Sequence, residues 1–321
     1  MKKMFFCMLT VSLVLGLACF SSAKTYPGKK ILYIDSYHQG YAWSDGIEKG
    51  VKKGLEGTGI ELKVVRMDTK RNTSDEFLKE AGQKAKAEIE AFKPDVVIAA
   101  DDNATKAVIV PFYKDGSLPF VFCGLNWDAS RYGFPCKNVT GMVEVAPVKE
   151  LLEHLKPYAK GNRLGVIGAD VETNHKETEA YRKILGLQFE EYYTKSVEDF
   201  KKGFLELQAK VDMILIDSDG GLYNSAADDL KAFFLANTKV PTGTCYDFMT
   251  PYVLMGFTKL AEEQGLWSAG AALKILDGTA PSDIPVVKNK EGALIVNAKI
   301  AKALGAQIPF AMLQSAAQVI E

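Results

Sequence analysis

Short runs of apolar and β-branched residues recur along this chain, each followed by turn residues and then by a longer stretch of helical period. That alternation constrains the fold more than any other feature. The first series predicts strands at residues 31–35, 61–66, 95–100 and 120–123, with helices near 44–55, 74–92 and 104–112. Strands that are apolar on both faces and alternate with helices form a parallel sheet covered on both sides, so this series is one doubly wound α/β lobe. A second series follows Pro147, with strands at 164–168, 188–193, 213–217 and 242–245 and helices near 148–155, 176–185, 197–209 and 226–235. The two halves share a rhythm without residue identity, which makes them two lobes of related architecture and not a sequence repeat. A chain of 321 residues exceeds the usual single domain and can bury two cores.

The connection Glu144-Val145-Ala146-Pro147 is short and of the kind that acts as a hinge. The tail is too small for a third domain. It shows an apolar stretch at 252–257, a helix near 259–276, a strand at 293–296, and helices near 298–304 and 310–319. Such a tail is expected to divide between the lobes, placing 24–145 with 251–283 in the first and 146–250 with 284–321 in the second.

Before the first strand lies an export pattern. Lys2 and Lys3 form a positive start, residues 4–20 are apolar, and Ser21-Ser22-Ala23 supplies the small residues that a signal peptidase needs. Cleavage is expected after Ala23, giving a periplasmic protein, with lipid attachment at Cys19 as the alternative. No later segment is apolar over the length that a membrane span requires. With 39 basic and 40 acidic residues the chain shows no basic stripe to gather phosphates, so no nucleic-acid partner is expected.

Beyond the export signal the cysteines are Cys123, Cys136 and Cys245. In an oxidising compartment Cys123 and Cys136 could pair across the loop between them; otherwise Cys123 and Cys245 are small buried hydrophobes at strand ends. Their spacing matches no zinc pattern, and His38, His154 and His175 are too scattered to complete one. No metal or cofactor is expected.

Ligands of open parallel sheets sit outside the carboxyl ends of the strands, where loops and helix N-termini gather. The first strand delivers Ser36, Tyr37, His38, Gln39, Tyr41 and Trp43 ahead of a helix that Ser44 is placed to cap. Three rings, an imidazole and a hydroxyl suit a flat or apolar organic ligand with polar handles, the lesser alternative being that Tyr37 and Trp43 pack beneath the helix. After the third strand come Asp101, Asp102 and Asn103, at a helix start; one carboxylate is expected to cap the helix and the other, Asp102, to receive a ligand amine. Gly124-Leu125-Asn126-Trp127 follows the fourth strand, with Trp127 either a ligand wall or core filler. The second lobe offers Asp170, then Asp217 and Ser218 with Gly220 and Gly221, then Tyr246. The run from Asp217 lacks the glycine that an EF-hand needs at its sixth position, where Leu222 stands, so calcium is not expected; Gly220 and Gly221 could hold a ligand carboxylate or merely turn the chain.

No serine elbow, zinc-protease helix or phosphate loop is present. An alternative hydrolase would need more carboxylates converging on Asp101 and Asp102.

The segment 275–286 (ILDGTAPSDIPV) and the closing run 297–305 (NAKIAKALG) with Ile308-Pro309 resemble the ABC-transporter substrate-binding proteins whose best-known members handle tryptophan and related aromatic amino acids. The 36–43 loop, Phe122-Cys123-Gly124-Leu125-Asn126 and residues 139–144 look like a branch of the same superfamily, which includes extracytoplasmic sensor modules. The resemblance implies a type I periplasmic-binding fold, two lobes joined by three crossings with ligand in the cleft. It also implies a binding protein without catalysis, a monomer that closes on a small amino-acid-like solute and meets an ABC permease. A partner sensor kinase is the alternative output.

Overall fold

The computed structural model describes residues 24–219 and 227–321. The export signal, Cys19 and the Gly220-Gly221 turn lie outside them.

The first sheet is built from β1 (Lys30–Asp35), β2 (Glu61–Arg66), β3 (Val96–Ala100), β4 (Phe120–Asn126), β5 (Val139–Glu144) and a short β11 (Val287–Lys288), in the order β11-β5-β4-β3-β1-β2. All its pairings are parallel. The second sheet runs β13-β12-β10-β9-β8-β6-β7, where β6 is Leu164–Ala169, β7 Phe189–Thr194, β8 Met213–Ile216, β9 Thr242–Thr244, β10 Met255–Lys259, β12 Gly292–Asn297 and β13 Gln318–Ile320. Only the β10–β12 pairing is antiparallel. Strand order reverses beside β1 in one sheet and beside β6 in the other, so each lobe is doubly wound with its own switch point.

Helices α1 (Ala42–Leu55), α2 (Asp75–Phe92), α3 (Asp101–Ala104, continued as a π-helix over Thr105–Tyr113) and α8 (Ala261–Leu276) cover the first sheet. The second carries α4 (Val148–Leu155), α5 (Glu172–Lys183), α6 (Val197–Gln208), α7 (Ala227–Asn237) and α9 (Ala298–Leu304), with α10 (Phe310–Ser315) near its edge. Helices α1 and α8 cross so closely that a β-carbon at Gly50 would collide with the Glu262 carbonyl, and one at Gly265 with the Ile47 carbonyl. Ser44 does not cap α1. The helix starts two residues earlier, and the Ser44 hydroxyl donates instead to Asp35 Oδ1 at 2.8 Å.

The lobes meet at three crossings. Val145 belongs to the core of the first lobe and Ala146 to that of the second. The tail crosses later than the sequence suggests, because β10 pairs with β9 and β12, which keeps residues through Lys259 in the second lobe. The return is also later, since β11 pairs with β5 and holds residues through Lys288 in the first lobe. The expected helix at 310–319 ends at Ser315, and β13 pairs with β12 instead.

Cys123 and Cys136 are unpaired thiols. The reason is geometric: Cys123 packs into the core on the α1/α8 face of the first sheet, whereas Cys136 packs against the core on the opposite face. Cys245 is a buried free thiol in the second lobe.

Candidate functional site

At the first switch point the chain leaving β1 is tied down by buried polar groups. Asp35 accepts from the Tyr37 amide at 2.9 Å, and Ser36 Oγ donates to the Ala100 carbonyl at 2.5 Å and accepts from the Ala104 amide at 2.8 Å. Ser36 is fully buried and joins two loops, so it is a scaffold residue and not a ligand contact. The rings beyond it form a cluster. Tyr37 and Tyr41 meet edge to face at 5.3 Å, His38 lies 6.0 Å from Tyr41, and Lys70 Nζ sits 5.0 Å above each tyrosine ring. Burial raises the Tyr37 phenol, with Asp101 adding to the effect.

Neither carboxylate of the acidic pair caps the helix, and the two divide their roles differently from the sequence expectation. Asp102 accepts from Tyr132 Oη at 2.6 Å and from the Asn126 amide and side chain at 3.2 and 2.8 Å, so Asp102 and Asn126 brace their own lobe. Asn103 donates to Thr69 Oγ1 at 2.8 Å and is likewise structural. Asp101 is the carboxylate that faces the aromatic loop: its Oδ1 accepts from Trp43 Nε1 at 3.1 Å, and it makes no helix cap. Its backbone is held in the left-handed region, at φ 69°, a conformation that costs a non-glycine residue on the order of 1 kcal/mol or more. Burial raises its carboxyl well above the usual range, and Glu144 adds to this while the Trp43 N–H opposes it.

The second switch point has a matching arrangement. Asn174, fully buried on α5, donates to the Ala169 carbonyl at 2.9 Å and the Ser218 carbonyl at 2.7 Å, clamping the loops after β6 and β8 together. Ser218 therefore contributes its peptide oxygen to the scaffold. Asp217 accepts from Tyr181 Oη at 3.0 Å, and its carboxyl is pushed up to about 8, first by burial and then by Glu177. Asp170 lies nearer the surface, bound by His175 Nε2 at 2.8 Å and facing Lys195 at 3.4 Å, which hold its carboxyl low. Half-buried Tyr246 packs 5.5 Å from Phe248, and burial beside Asp217 and Glu177 raises its phenol.

Between the lobes stands Trp127. It too has a left-handed backbone, at φ 62°, and it packs against the cores of both lobes. Its Nε1 donates to Glu177 Oε1 at 3.2 Å and its ring meets Tyr181 edge-on at 5.8 Å. Lys259, at the end of β10, pairs with Glu144 at the end of β5 and lies 5.3 Å over the Trp43 ring. Burial works against the Lys259 charge, but Glu144 and then Glu177 outweigh it and raise its pKa. Two linked strings result: Asp101, Trp43, Lys259 and Glu144 on one side, and Glu177, Trp127, Tyr181 and Asp217 on the other.

Sequence reasoning named Trp43, Trp127 and Asp217 here, and missed Glu144, Glu177, Tyr181 and Lys259. Glu177 and Tyr181 were findable in principle, since four residues apart on one helix puts them on one face. Glu144 and Lys259 gave no such pattern, because only the crossing of the chain between lobes brings them together. Among the described residues no group of His, Cys, Asp and Glu is arranged to hold a metal ion, and no helix is long and apolar enough to cross a membrane.

The fold is shared with solved structures. The ligand-free, open structure of CD0873, a substrate binding protein with adhesive properties from Clostridium difficile, superposes with a TM-score of 0.71 at 22% identity, over 91% of this chain and 99% of that one. An ABC domain in complex with L-Trp from Streptococcus pneumonia gives 0.57 at 21% identity, over 91% and 99%. A periplasmic ribose ABC transporter protein from Conexibacter woesei gives 0.55 at 15% identity, over 89% and 97%. No curated protein matches the chain. The sequence model of the ABC transporter substrate binding proteins matches residues 42–320, and with two doubly wound lobes of the type I periplasmic-binding fold around one cleft, the chain belongs to that non-enzymatic family.

Proposed function

We propose that this protein is the periplasmic solute-binding component of an ABC importer, and that it takes a small organic solute with a ring or apolar body and an amine, as an aromatic amino acid has. One observation carries the reading: aromatic rings and carboxylates from both lobes converge at the carboxyl ends of the two sheets, with Trp127 of one lobe bonded to Glu177 of the other. Tyr37, His38, Tyr41 and Trp43 form one wall, Asp170, Asp217 and Tyr246 the opposite one, and Trp127 the floor between them. Asp101 takes the amine-receiving role that the sequence assigned to Asp102.

Binding then closes the lobes about the three crossings, and the closed form is what a membrane permease reads. Releasing the solute unchanged requires no covalent chemistry. Removal of residues 1–23 after Ala23 leaves a monomer in the periplasm. The L-Trp complex of a neighbouring structure agrees with a ring-bearing amine as solute.

The test is to denature freshly purified protein, identify released small molecules by mass spectrometry, and follow thermal unfolding with amino acids and related amines. Recovery of an intact solute that raises the melting temperature is expected. If no ring-bearing or amine solute binds at millimolar concentration, the reading fails. Loss of solute uptake on deleting the gene separates delivery from sensing.

A further inference from the structure

Three carboxylates in the cleft, from both lobes, have a buried oxygen to which no group among the described residues donates: Asp101 Oδ2, Glu177 Oε2 and Asp217 Oδ2. Asp101 and Asp217 are 2% and 1% exposed, so bulk water does not serve these atoms in the usual way. Buried acceptors without donors are costly, and three such oxygens along one chain of contacts, from Asp101 through Trp43, Lys259 and Glu177 to Asp217, mark a site whose donors come from elsewhere.

The charge balance has the same sign. Glu144 adds to the raised carboxyls of Asp101 and Glu177, Glu177 adds to that of Asp217, and the cation beside them, Lys259, is already paired with Glu144. The arginines, the residues best shaped to grip a carboxylate, are engaged elsewhere: Arg66 with Glu48, Arg71 with Asp68, Arg131 over Tyr132, Arg163 with Asp212 and Arg182 with Glu191. At the rim, Lys70 is stacked on Tyr37 and Tyr41, while Lys195 and His175 serve Asp170. The protein itself shows how an ammonium fits, because Lys259 Nζ already lies over the Trp43 ring at cation–π distance.

We propose that the cleft recognises an organic ammonium ion, and that its solute is an arylalkylamine without a carboxylate. The ammonium meets the open oxygens of Asp101, Glu177 and Asp217, and the ring lies against Trp43 and Trp127. A zwitterionic amino acid brings its carboxylate up against the carboxyl groups of Glu144 and Glu177, which disfavours it. This inference rests on the solute-binding reading above. Because burial holds the Asp217 proton up to about pH 8, an arriving ammonium expels it.

The test compares tryptamine and tyramine with L-tryptophan, L-tyrosine and indole-3-propionate by titration calorimetry, using the mature protein at pH 7 in two buffers of different ionisation heat. Each amine should bind at least tenfold more tightly than its amino acid, indole-3-propionate should not bind, and the buffers should reveal a released proton. Asp217→Asn and Glu177→Gln, checked for an intact thermal transition, should each weaken tryptamine at least tenfold. Equal or tighter binding of either amino acid overturns the inference while leaving solute binding intact. Failure of all five probes overturns both. The wild-type comparison decides the matter even where a variant does not fold.

Discussion

Replacing Asp217 by Asn should remove most of one steep pH dependence of stability. Asp217 is 1% exposed, accepts one bond from Tyr181 Oη, and is faced by Glu177 and Tyr181 from α5 and by Cys245 and Tyr246 after β9. Its carboxyl moves from an ordinary 3.8 to about 8 in the folded chain. Between those values the folded protein keeps a proton that the unfolded chain has lost, so stability falls as pH rises and levels off above about 8. At about 1.4 kcal/mol per unit over roughly four units the ceiling is about 6 kcal/mol, and relaxation of the buried site reduces it to about 3 kcal/mol. Asn cannot ionise, yet its carbonyl still accepts from Tyr181. Urea unfolding of both proteins without solute, at intervals from about pH 3.5 to 9, should show a difference near zero at the acid end. By about pH 8.5 the variant should be ahead by about 3 kcal/mol. Asp101 and Glu177 also have raised carboxyls, but they titrate in both proteins and largely cancel. A difference that stays constant across the range would mean that Asp217 is ionised throughout, and would refute the reasoning.

Trp43→Ala removes a ring and the donor to Asp101 Oδ1, and should weaken whichever ring-bearing probe binds by about 1 to 3 kcal/mol in calorimetry; unchanged affinity removes Trp43 from the site. Ser36→Ala leaves the Ala104 amide without its buried acceptor and should cost about 1 to 3 kcal/mol in urea unfolding, with the assembled site still selective for the same solute. Because Cys123 and Cys136 face opposite sides of one sheet, a reductant should not move the melting temperature; a fall of several degrees would show that they are bonded.

Legibility in the sequence follows the range of the interaction that sets each feature. Strands β1, β6 and β8 are apolar runs bounded by turn residues, β2 alternates as an edge strand does, and local pattern places all four within a residue or two. The strand β5 escaped notice, although Val139–Glu144 is buried throughout, because its Thr140-Gly141-Met142 centre breaks the β-branched run. Gly141 is small there because a β-carbon would strike the Phe122 carbonyl and ring on β4, a demand from the neighbouring strand and invisible in a one-dimensional pattern. The same limit governs the site. A loop rich in aromatics announces itself, so Trp43 and Trp127 were found, but the choice between Asp101 and Asp102 turns on which side chain Tyr132 and Asn126 reach. The tail boundaries failed for a related reason, since whether β10 belongs to one lobe or the other depends on its partner β12, which lies beyond a long helix.

The residues that carry charge into the cleft also lie at the hinge, and this joins recognition to motion. Glu144 closes β5 one residue before the first crossing, and Lys259 closes β10 just before the second, so their ion pair ties two crossings together. The third is tied in as well: Asn289, one residue after β11, accepts from the Val145 amide at 2.7 Å and donates to the Val145 carbonyl at 3.1 Å. Glu263 on α8 accepts from the amides of Lys290 and Glu291 at 2.8 and 3.0 Å, linking the second crossing to the third. The three crossings are therefore tied to one another, and a rotation of the lobes that stretched this network would also displace Lys259 from its place over Trp43. A cation entering beside Glu144 and Glu177 would compete with Lys259 for the same carboxylates. On the ammonium reading proposed above, the Lys259–Glu144 pair would respond to a positive charge in the cleft, which is the differential interaction that a ligand-driven closure needs.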